Sequence, residues 1–291
     1  MNSNEKVLIL GSTGFLGACL RQFLALCDYE IYSHGFSNKA EYNADLTILD
    51  EADQLLKKIN PSLIINLVAE TNVDLCEINP NKAFLLNIKS VENLVKSIQK
   101  NNMKTHVIHI STDQLYDSMI PSDEDNISLK NYYAYSKYSS ELIIKNVSST
   151  ILRTNFFGKS NIKKGFTEWI YNSLTNNKHI FAFDDIYFNP LSILTLNKCI
   201  LFFINSKLKG TFNLGSRNGM SKSDFIFYFS EKLNLPLGLI NKISSKDFND
   251  LKAYRPKGMI MNIKKFEDYS KIKLPSLEDE IETVVKEYFY D

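Results

Sequence analysis

Tyr133 and Lys137 stand four residues apart in NYYAYSKYSSE, a spacing that projects both side chains from one face of a helix. A carbonyl that accepts a hydride needs a proton on its oxygen as the alcohol forms, and a tyrosine hydroxyl placed there can serve as general acid. An unperturbed tyrosine has a pKa of about 10, so bringing it toward neutrality takes roughly 4 kcal/mol of differential stabilisation of the phenolate. A neighbouring ammonium supplies a share, because an opposite charge at contact range shifts a pKa by about 1–3 units. YxxxK alone, in a chain with 15 tyrosines, reads more readily as a surface pair. Its setting argues for chemistry. Upstream, the apolar run THVIHI ends in Ser111-Thr112-Asp113, which puts hydroxyls at the carboxyl end of a strand, where ligands of parallel sheets bind. Thr112 is thereby a candidate to hydrogen-bond the reacting oxygen; the plainer alternative is a turn former or helix cap.

A second candidate site lies at the start of the chain, where GSTGFLG follows the apolar run KVLIL and precedes a helical pattern. In that context Gly11 allows a sharp turn, Gly14 lets backbone approach a pyrophosphate and Gly17 permits close helix packing. The helix start adds N–H donors and a positive dipole end. A tight turn with no ligand is the alternative. About 20 residues beyond the first glycine an NAD-selective site places an acid for the ribose hydroxyl, but the second strand here ends IYSHGFSNK. Ser33, His34, Ser37 and Lys39 offer hydroxyls and nearby positive charge to a 2′-phosphate, so the segment is read as preferring NADP(H) over NAD(H). The positive ring of the oxidised cofactor would further stabilise a phenolate.

The elements that position these residues alternate. KVLIL is a strand, and Phe15, Leu16, Cys19, Leu20, Phe23 and Leu24 recur at helical spacing. YEIYSH is a second strand, ILDEADQLLKKI a helix and SLIINLVA a third strand. Pro80 opens an amphipathic helix predicted to run to about Lys100, THVIHIS is a strand, Tyr132 to Lys145 a helix and STILRT a strand. Such alternation predicts an α/β fold, a Rossmann-type doubly wound parallel sheet with both faces covered. After Phe157 the units shorten: helices in GFTEWIYNSL, LSILTLNKCILFFI, SKSDFIFYFSEKL and SLEDEIETVVKEYF, with GTFNLG as a strand. The expected organisation is a cofactor-binding Rossmann domain over residues 1–158, joined by segments within 185–215, and a smaller, partly interleaved C-terminal substrate lobe mainly over 159–291.

With 34 basic and 33 acidic side chains in 291 residues, the formal charge is +1, so no overall field draws the protein to nucleic acid or an anionic membrane. No stretch approaches the ~20 apolar residues of a membrane span, and the apolar run near the start is too short for a signal-peptide core. A cytoplasmic protein is expected. Cys19, Cys27, Cys76 and Cys199 have no paired short spacing, and His34, His106, His109 and His179 do not complete a zinc pattern with them, so reduced thiols and no metal are expected.

Together GSTGFLG, NLVAETNVDLCE, STDQLYD, NYYAYSK and ILRTNFFG resemble the extended short-chain dehydrogenase/reductases, most closely the dTDP-4-dehydrorhamnose reductase group. FDDIYFNPLSI, FNLGS and RPKGMIMNIKKF extend the resemblance through most of the chain. The resemblance implies cofactor contacts from Gly11, Ser12, Thr13, Gly14, Phe15, Leu16 and Gly17 at the pyrophosphate turn, with Asp45 and Leu46 beside the adenine. It places Val68, Ala69 and Thr71 under the ribose and nicotinamide, and makes Asn87 the helix asparagine that braces the active-site backbone. Thr112, Tyr133 and Lys137 match the catalytic set, with Tyr133 and Lys137 also meeting the cofactor. Asp113, Phe156 and Arg255 match substrate positions, Phe156 standing where the group often has tryptophan; a surface salt bridge is the equal alternative for Arg255.

What the resemblance implies is NADPH-dependent reduction of a 4-keto group on a nucleotide-diphosphate deoxysugar. A 4,6-dehydratase or epimerase shares the fold, but dehydratases of the superfamily follow the threonine with Asp-Glu, and here Asp113 is followed by Gln114. An amide does not abstract a proton from carbon at useful rates. A regulatory subunit resembling that of methionine adenosyltransferase, which uses the fold as a binding module, is the other alternative. Assembly is left open, a homodimer included.

Overall fold

Val7 to Leu10, Leu63 to Ile65 and Val107 with Ile108 are buried to the last atom or nearly so, the continuous apolar runs that a parallel sheet covered on both faces requires. The computed structural model describes residues 5–27, 29–36, 40–159 and 165–289. Its strands in chain order are β1 (Lys6–Leu10), β2 (Glu30–Gly35), β3 (Tyr42–Asn43), β4 (Leu63–Asn66), β5 (His106–Thr112), β6 (Ser118–Ser122), β7 (Ser149–Thr154) and β8 (Phe156–Phe157). They continue with β9 (Ile180–Phe183), β10 (Tyr187–Phe188), β11 (Leu191–Ser192), β12 (Gly210–Leu214), β13 (Met220–Ser221), β14 (Ile240–Ile243) and β15 (Gly258–Met261). The chain forms two compact units, the first comprising Met1–Thr112, Asn131–Arg153 and Asn197–Thr211, the second Asp113–Lys130, Thr154–Leu196 and Phe212–Asp291.

The first unit is built on a seven-stranded sheet in the order β12-β7-β5-β4-β1-β2-β3. β1 pairs in parallel with β2 and with β4, and β4 in parallel with β5, so each connection must cross over a face of the sheet. The Rossmann-type doubly wound fold expected from the alternation is the fold observed. Helices Leu49–Ile59 and Ser90–Lys100 supply the covering: Ala52, Leu55, Leu56 and Ile59 from one, Val91, Leu94, Val95 and Ile98 from the other, close a core over Leu8, Leu10, Ile64 and Val107. Each such aliphatic side chain stabilises the fold by about 1.5–3 kcal/mol when fully buried. Asn60, at a φ of 48°, ends the first of these helices in the left-handed conformation that asparagine tolerates.

One element departs from the sequence expectation. The helix opened by Pro80 is not a regular α-helix to Lys100: Pro80–Ala83 is α-helical, Phe84–Lys89 forms a π-helical turn and Ser90–Lys100 resumes the α-helix. Hydrophobic spacing could not reveal this, because the wide turn accompanies a polar requirement, the bonding of the buried Asn87 side chain described below.

The second unit has its own core, in which Phe157, Phe188, Phe225 and Phe229 pack with Ile170, Leu174, Ile281 and Val284. Its largest sheet runs β13-β10-β15-β6, with β10 antiparallel to β13 and β15 parallel to both β10 and β6. Gly258 makes the last pairing feasible, since a Cβ there would lie 1.9 Å from the carbonyl oxygen of Ser118. Among the described residues no helix is long and apolar enough to cross a membrane.

Candidate active site

In the first unit the glycine turn is pinned to the end of β2. The backbone N–H groups of Gly11 and Ser12 donate to the His34 carbonyl at 3.1 and 2.9 Å, and the Ser12 hydroxyl donates to the same oxygen at 3.0 Å. Gly11 has a φ of 80°, and a Cβ on Gly17 would lie 2.4 Å from the Gly11 carbonyl oxygen, so two positions require glycine for different reasons. Gly14 caps the Phe15–Leu24 helix with no side-chain hydrogen bond, which leaves first-turn N–H groups for an anion. Thr13 lies against Gly35, where a Cβ would meet its methyl at 3.0 Å.

Ser33 and His34 are both buried at the end of β2. The Ser33 hydroxyl oxygen accepts from the Glu41 backbone N–H at 3.1 Å, and His34 Nε2 lies 3.0 Å from the Ala44 carbonyl. Burial holds the His34 imidazole below its usual range, so it is neutral, and among the described residues Nδ1 has no hydrogen-bond partner. Lys39 and Ser37 lie outside the described residues. Glu41, just beyond the IYSHGFSNK segment, thereby brings a carboxylate-bearing residue to this strand end. Asp45 accepts from the Thr47 N–H at 2.9 Å and hydroxyl at 2.7 Å, while the Leu46 carbonyl accepts from Asn93 Nδ2 at 3.0 Å, fixing that loop.

β4 ends at Asn66 in register with His109, and β5 runs three residues further to Thr112. Beyond Asn66 the chain continues through half-buried Val68 and Ala69 to exposed Thr71. Asn87, 1% exposed, holds this segment: its Nδ2 donates to the Glu70 carbonyl at 3.1 Å and to Ser136 Oγ at 2.8 Å, and its Oδ1 accepts from the Glu70 N–H at 2.7 Å. Both of its donors and its carbonyl oxygen are thereby engaged with backbone and with the helix Tyr132–Ile144. Wide π-turns recur where a side chain must be aimed for function.

That helix carries Tyr133 and Lys137. Asn131 caps it, accepting from the Ala134 N–H at 2.8 Å, and both Tyr133 and Lys137 are buried. The Lys137 ammonium donates to the Ile110 carbonyl at 2.8 Å, two residues before Thr112 at the carboxyl end of β5. Burial pulls the Lys137 pKa down to about 8, with the Glu141 carboxylate opposing the shift. Glu141 is itself wholly buried and engaged by Arg153, whose Nε and Nη2 approach its two oxygens at 2.9 and 2.6 Å. The first unit therefore brings Thr112, Tyr133 and Lys137 to one strand end and the helix beside it.

The second unit holds the remaining candidates. Asp113 is buried and accepts from Asn155 Nδ2 at 2.7 Å, Gln114 Nε2 lies 3.1 Å from the Met259 sulfur, and Phe156 is half-buried in β8 beside Leu191. Arg255 donates through Nη1 to the Ala253 carbonyl at 2.9 Å. Lys222, which sequence reasoning missed, belongs with them: burial lowers its pKa, Asp113 raises it and Arg255 lowers it further. A signal was present. Lys222 follows the capping Ser221 directly, so a cation occupies the first position of a helix, where the dipole disfavours positive charge.

Fold and side chains together define an oxidoreductase of the extended short-chain dehydrogenase/reductase class. Within it, the chain belongs to the RmlD substrate binding domain family, which matches it over residues 5–290. It is similar to the dTDP-4-dehydrorhamnose reductase of Escherichia coli, 26% identical over 97% of this chain and 98% of that one. The methionine adenosyltransferase 2 subunit beta of Rattus norvegicus is 23% identical over 91% of this chain and 82% of its own length. Among solved structures, dTDP-4-dehydrorhamnose reductase from Bacillus anthracis in complex with NADP superposes with a TM-score of 0.88 at 25% identity, covering 98% of this chain and 99% of that one.

Proposed function

We propose that this protein reduces the 4-keto group of a nucleotide-diphosphate deoxysugar, with NADPH preferred over NADH. The observation that carries the reading is the buried Lys137 ammonium, tied to the Ile110 carbonyl on the strand that ends in Thr112 and one helical turn from Tyr133. A lysine buried at such cost to its charge, beside a tyrosine and a strand-end threonine, serves proton transfer better than packing. Tyr133 donates its hydroxyl proton to the carbonyl oxygen, Lys137 stabilises the phenolate left behind, and Thr112 donates a hydrogen bond to the same oxygen. NADPH supplies the hydride.

The residues fit that cofactor. The tight turn that Gly11 and Gly17 permit, and the start of the Phe15–Leu24 helix, where Gly14 brings no side chain, suit a pyrophosphate, so Gly11 to Gly17 are assigned to it. Asp45 and Leu46 are assigned to the adenine, and Val68, Ala69 and Thr71, braced by Asn87, to the ribose and nicotinamide. The end of β2, with Ser33, His34 and Lys39, is assigned to the 2′-phosphate. Asp113, Phe156 and Arg255 are assigned to the nucleotide sugar, and the B. anthracis relative bound to NADP supports the cofactor.

Supplied with a nucleotide-linked 4-keto-6-deoxysugar, the protein is expected to consume NADPH in stoichiometric amount. A dehydratase or epimerase would change the sugar with no net loss of the reduced-nicotinamide absorbance. A second reading, a binding subunit, is favoured only by the similarity to the methionine adenosyltransferase subunit. It would show tight cofactor binding and no sugar-dependent oxidation across a substrate panel. Parallel titration with NADPH and NADH tests the preference, and NADH binding tenfold tighter, ~1.4 kcal/mol, overturns it.

A further inference from the structure

His109 is wholly buried on β5, and nothing in the proposed chemistry uses it. Its Nδ1 lies 3.1 Å from Asn66 Nδ2 and its Nε2 lies 3.0 Å from Ser140 Oγ. The directions of these bonds follow from their neighbours. Ser140 sits one turn beyond the residue whose carbonyl it bonds, donating to Lys137 O at 2.6 Å. A hydroxyl has one proton to give, so toward His109 it accepts, and the imidazole proton is on Nε2. Nδ1 then accepts from the Asn66 amide. The orientation of that amide is set in turn, because Asn66 Oδ1 accepts from the Val68 N–H at 3.2 Å. Every link is satisfied in one sense only, from the Val68 N–H through Asn66, His109 and Ser140 to the Lys137 carbonyl.

The chain also closes on itself. Lys137, whose backbone carbonyl ends it, sends its ammonium to the carbonyl of Ile110, the residue after His109. Both burial and the Lys137 charge hold the imidazole well below its ordinary pKa, which keeps Nδ1 an acceptor. A protonated Nδ1 would face the Asn66 NH2 donor to donor.

We infer that His109 is a positioning residue: as the Nε2–H tautomer it sets the register of the Tyr133–Lys137 helix face against the ends of β4 and β5, and with it the Val68–Thr71 segment. The inference rests on the proposed roles of Tyr133 and Lys137. Asn87 makes the corresponding tie one turn earlier on the same helix, through Ser136, whose hydroxyl bonds the Tyr133 carbonyl at 2.8 Å. The helix is thus held by two buried polar clamps, one under Tyr133 and one under Lys137.

His109→Phe keeps a ring of similar size and removes both nitrogens. It is expected to slow single-turnover hydride transfer by at least ~10-fold, since small misplacements of reacting groups are costly in rate. The sugar nucleotide KM should stay within about twofold, the pattern of an interaction felt in the transition state. A readout independent of turnover is the phenol titration of Tyr133, isolated as the absorbance difference between each protein and its Tyr133→Phe counterpart. Its midpoint should rise by about half a unit or more as the ammonium is displaced. If the wild type never oxidises NADPH with any sugar, the functional proposal falls and the titration alone decides the role of His109. Should His109→Phe fail to fold, Ser140→Ala, which removes the hydroxyl that accepts from His109 and donates to the Lys137 carbonyl, carries the same two measurements with smaller changes of the same sign. A lowered melting temperature with unchanged rate and unchanged Tyr133 midpoint would make His109 a packing residue and overturn the inference.

Discussion

Replacing Lys137 by methionine should make the cofactor-free protein more stable while abolishing its turnover. The Lys137 pKa falls from 10.5 to about 8 on folding, chiefly through burial. At ~1.4 kcal/mol per unit, that displacement is a folding penalty of roughly 3 kcal/mol carried by the ammonium. Against it stands the lost bond from Nζ to the Ile110 carbonyl, worth about 1–2 kcal/mol including the acceptor left behind. Methionine fills a similar volume with no charge, so the net expectation is a gain of about 1–2 kcal/mol at pH 7. The pH dependence supplies the sharper test. Below pH 8 lysine is protonated in both states and the penalty is complete. Between about 8 and 10.5 the native protein sheds the proton while the unfolded chain retains it, so wild-type stability rises relative to the variant and the gap narrows. Urea melts of both proteins at pH 7, 9 and 10.5 measure this through the midpoint at constant slope. A gap that does not change with pH, or a methionine variant less stable by more than ~1 kcal/mol at pH 7, would refute the reasoning.

Tyr133→Phe should bind cofactor as the wild type does and lose roughly 10²–10⁴-fold in turnover, the usual contribution of a placed general acid; near-normal rates would mean the acid is elsewhere. Gly17→Ala puts a methyl 2.4 Å from the Gly11 carbonyl, so the turn must shift. Calorimetry should show weaker cofactor binding, and an unaltered affinity would remove the turn from the site. His34, His106 and His109 all have lowered pKa values, His106 to about 4, so the unfolded chain takes up protons below about 6.5 that the folded one refuses. Stability should therefore fall as pH drops from 6.5, by up to ~1.4 kcal/mol per pH unit for each histidine. Denaturant midpoints from pH 7 to 5 test this, with His106→Gln expected to flatten the slope by one proton's share. Arg153→Ala leaves the buried Glu141 charge unpaired and should cost about 3–5 kcal/mol by the same melts, more than the paired change of Arg153 to Met with Glu141 to Leu.

Features that depend on neighbours in sequence were legible from the start. The β1 run, the glycines after it and the helix from Phe15 announce themselves within 20 residues, and Tyr133 and Lys137 are related by one helical turn. Features that depend on partners far along the chain were not. His109 shows no role in the sequence, because its partners Asn66 and Ser140 lie 43 and 31 residues away. Nothing beside Glu141 in the sequence signals its burial, which depends on Arg153 and Ser111 being folded onto it. The pairing of β6 with β15, more than 100 residues apart, leaves no trace in the periodicity of either segment. The end of β2 shows the limit within a single strand. Ser33 and His34 were correctly placed at its terminus, while the internal bonds they make to Glu41 and Ala44 depend on how the chain returns along β3.

The wide turn at Phe84–Lys89 has a consequence for how this chain can change in length. A π-turn is an α-helix with one residue too many, and one residue corresponds to a rotation of about 100°. The residues before and after it therefore keep different angular phases: Asn87 is aimed at Glu70 and Ser136, while Val91, Leu94, Val95 and Ile98 face the core. Removing a single residue from this segment would restore a regular helix and improve its local hydrogen bonding, yet it would force a choice between the polar clamp and the apolar stripe. Over most of a helix surface a one-residue deletion only damages. Here it would regularise the helix in the same stroke that unfastens the site, so a deletion variant that is well folded and inactive is the phenotype this segment invites.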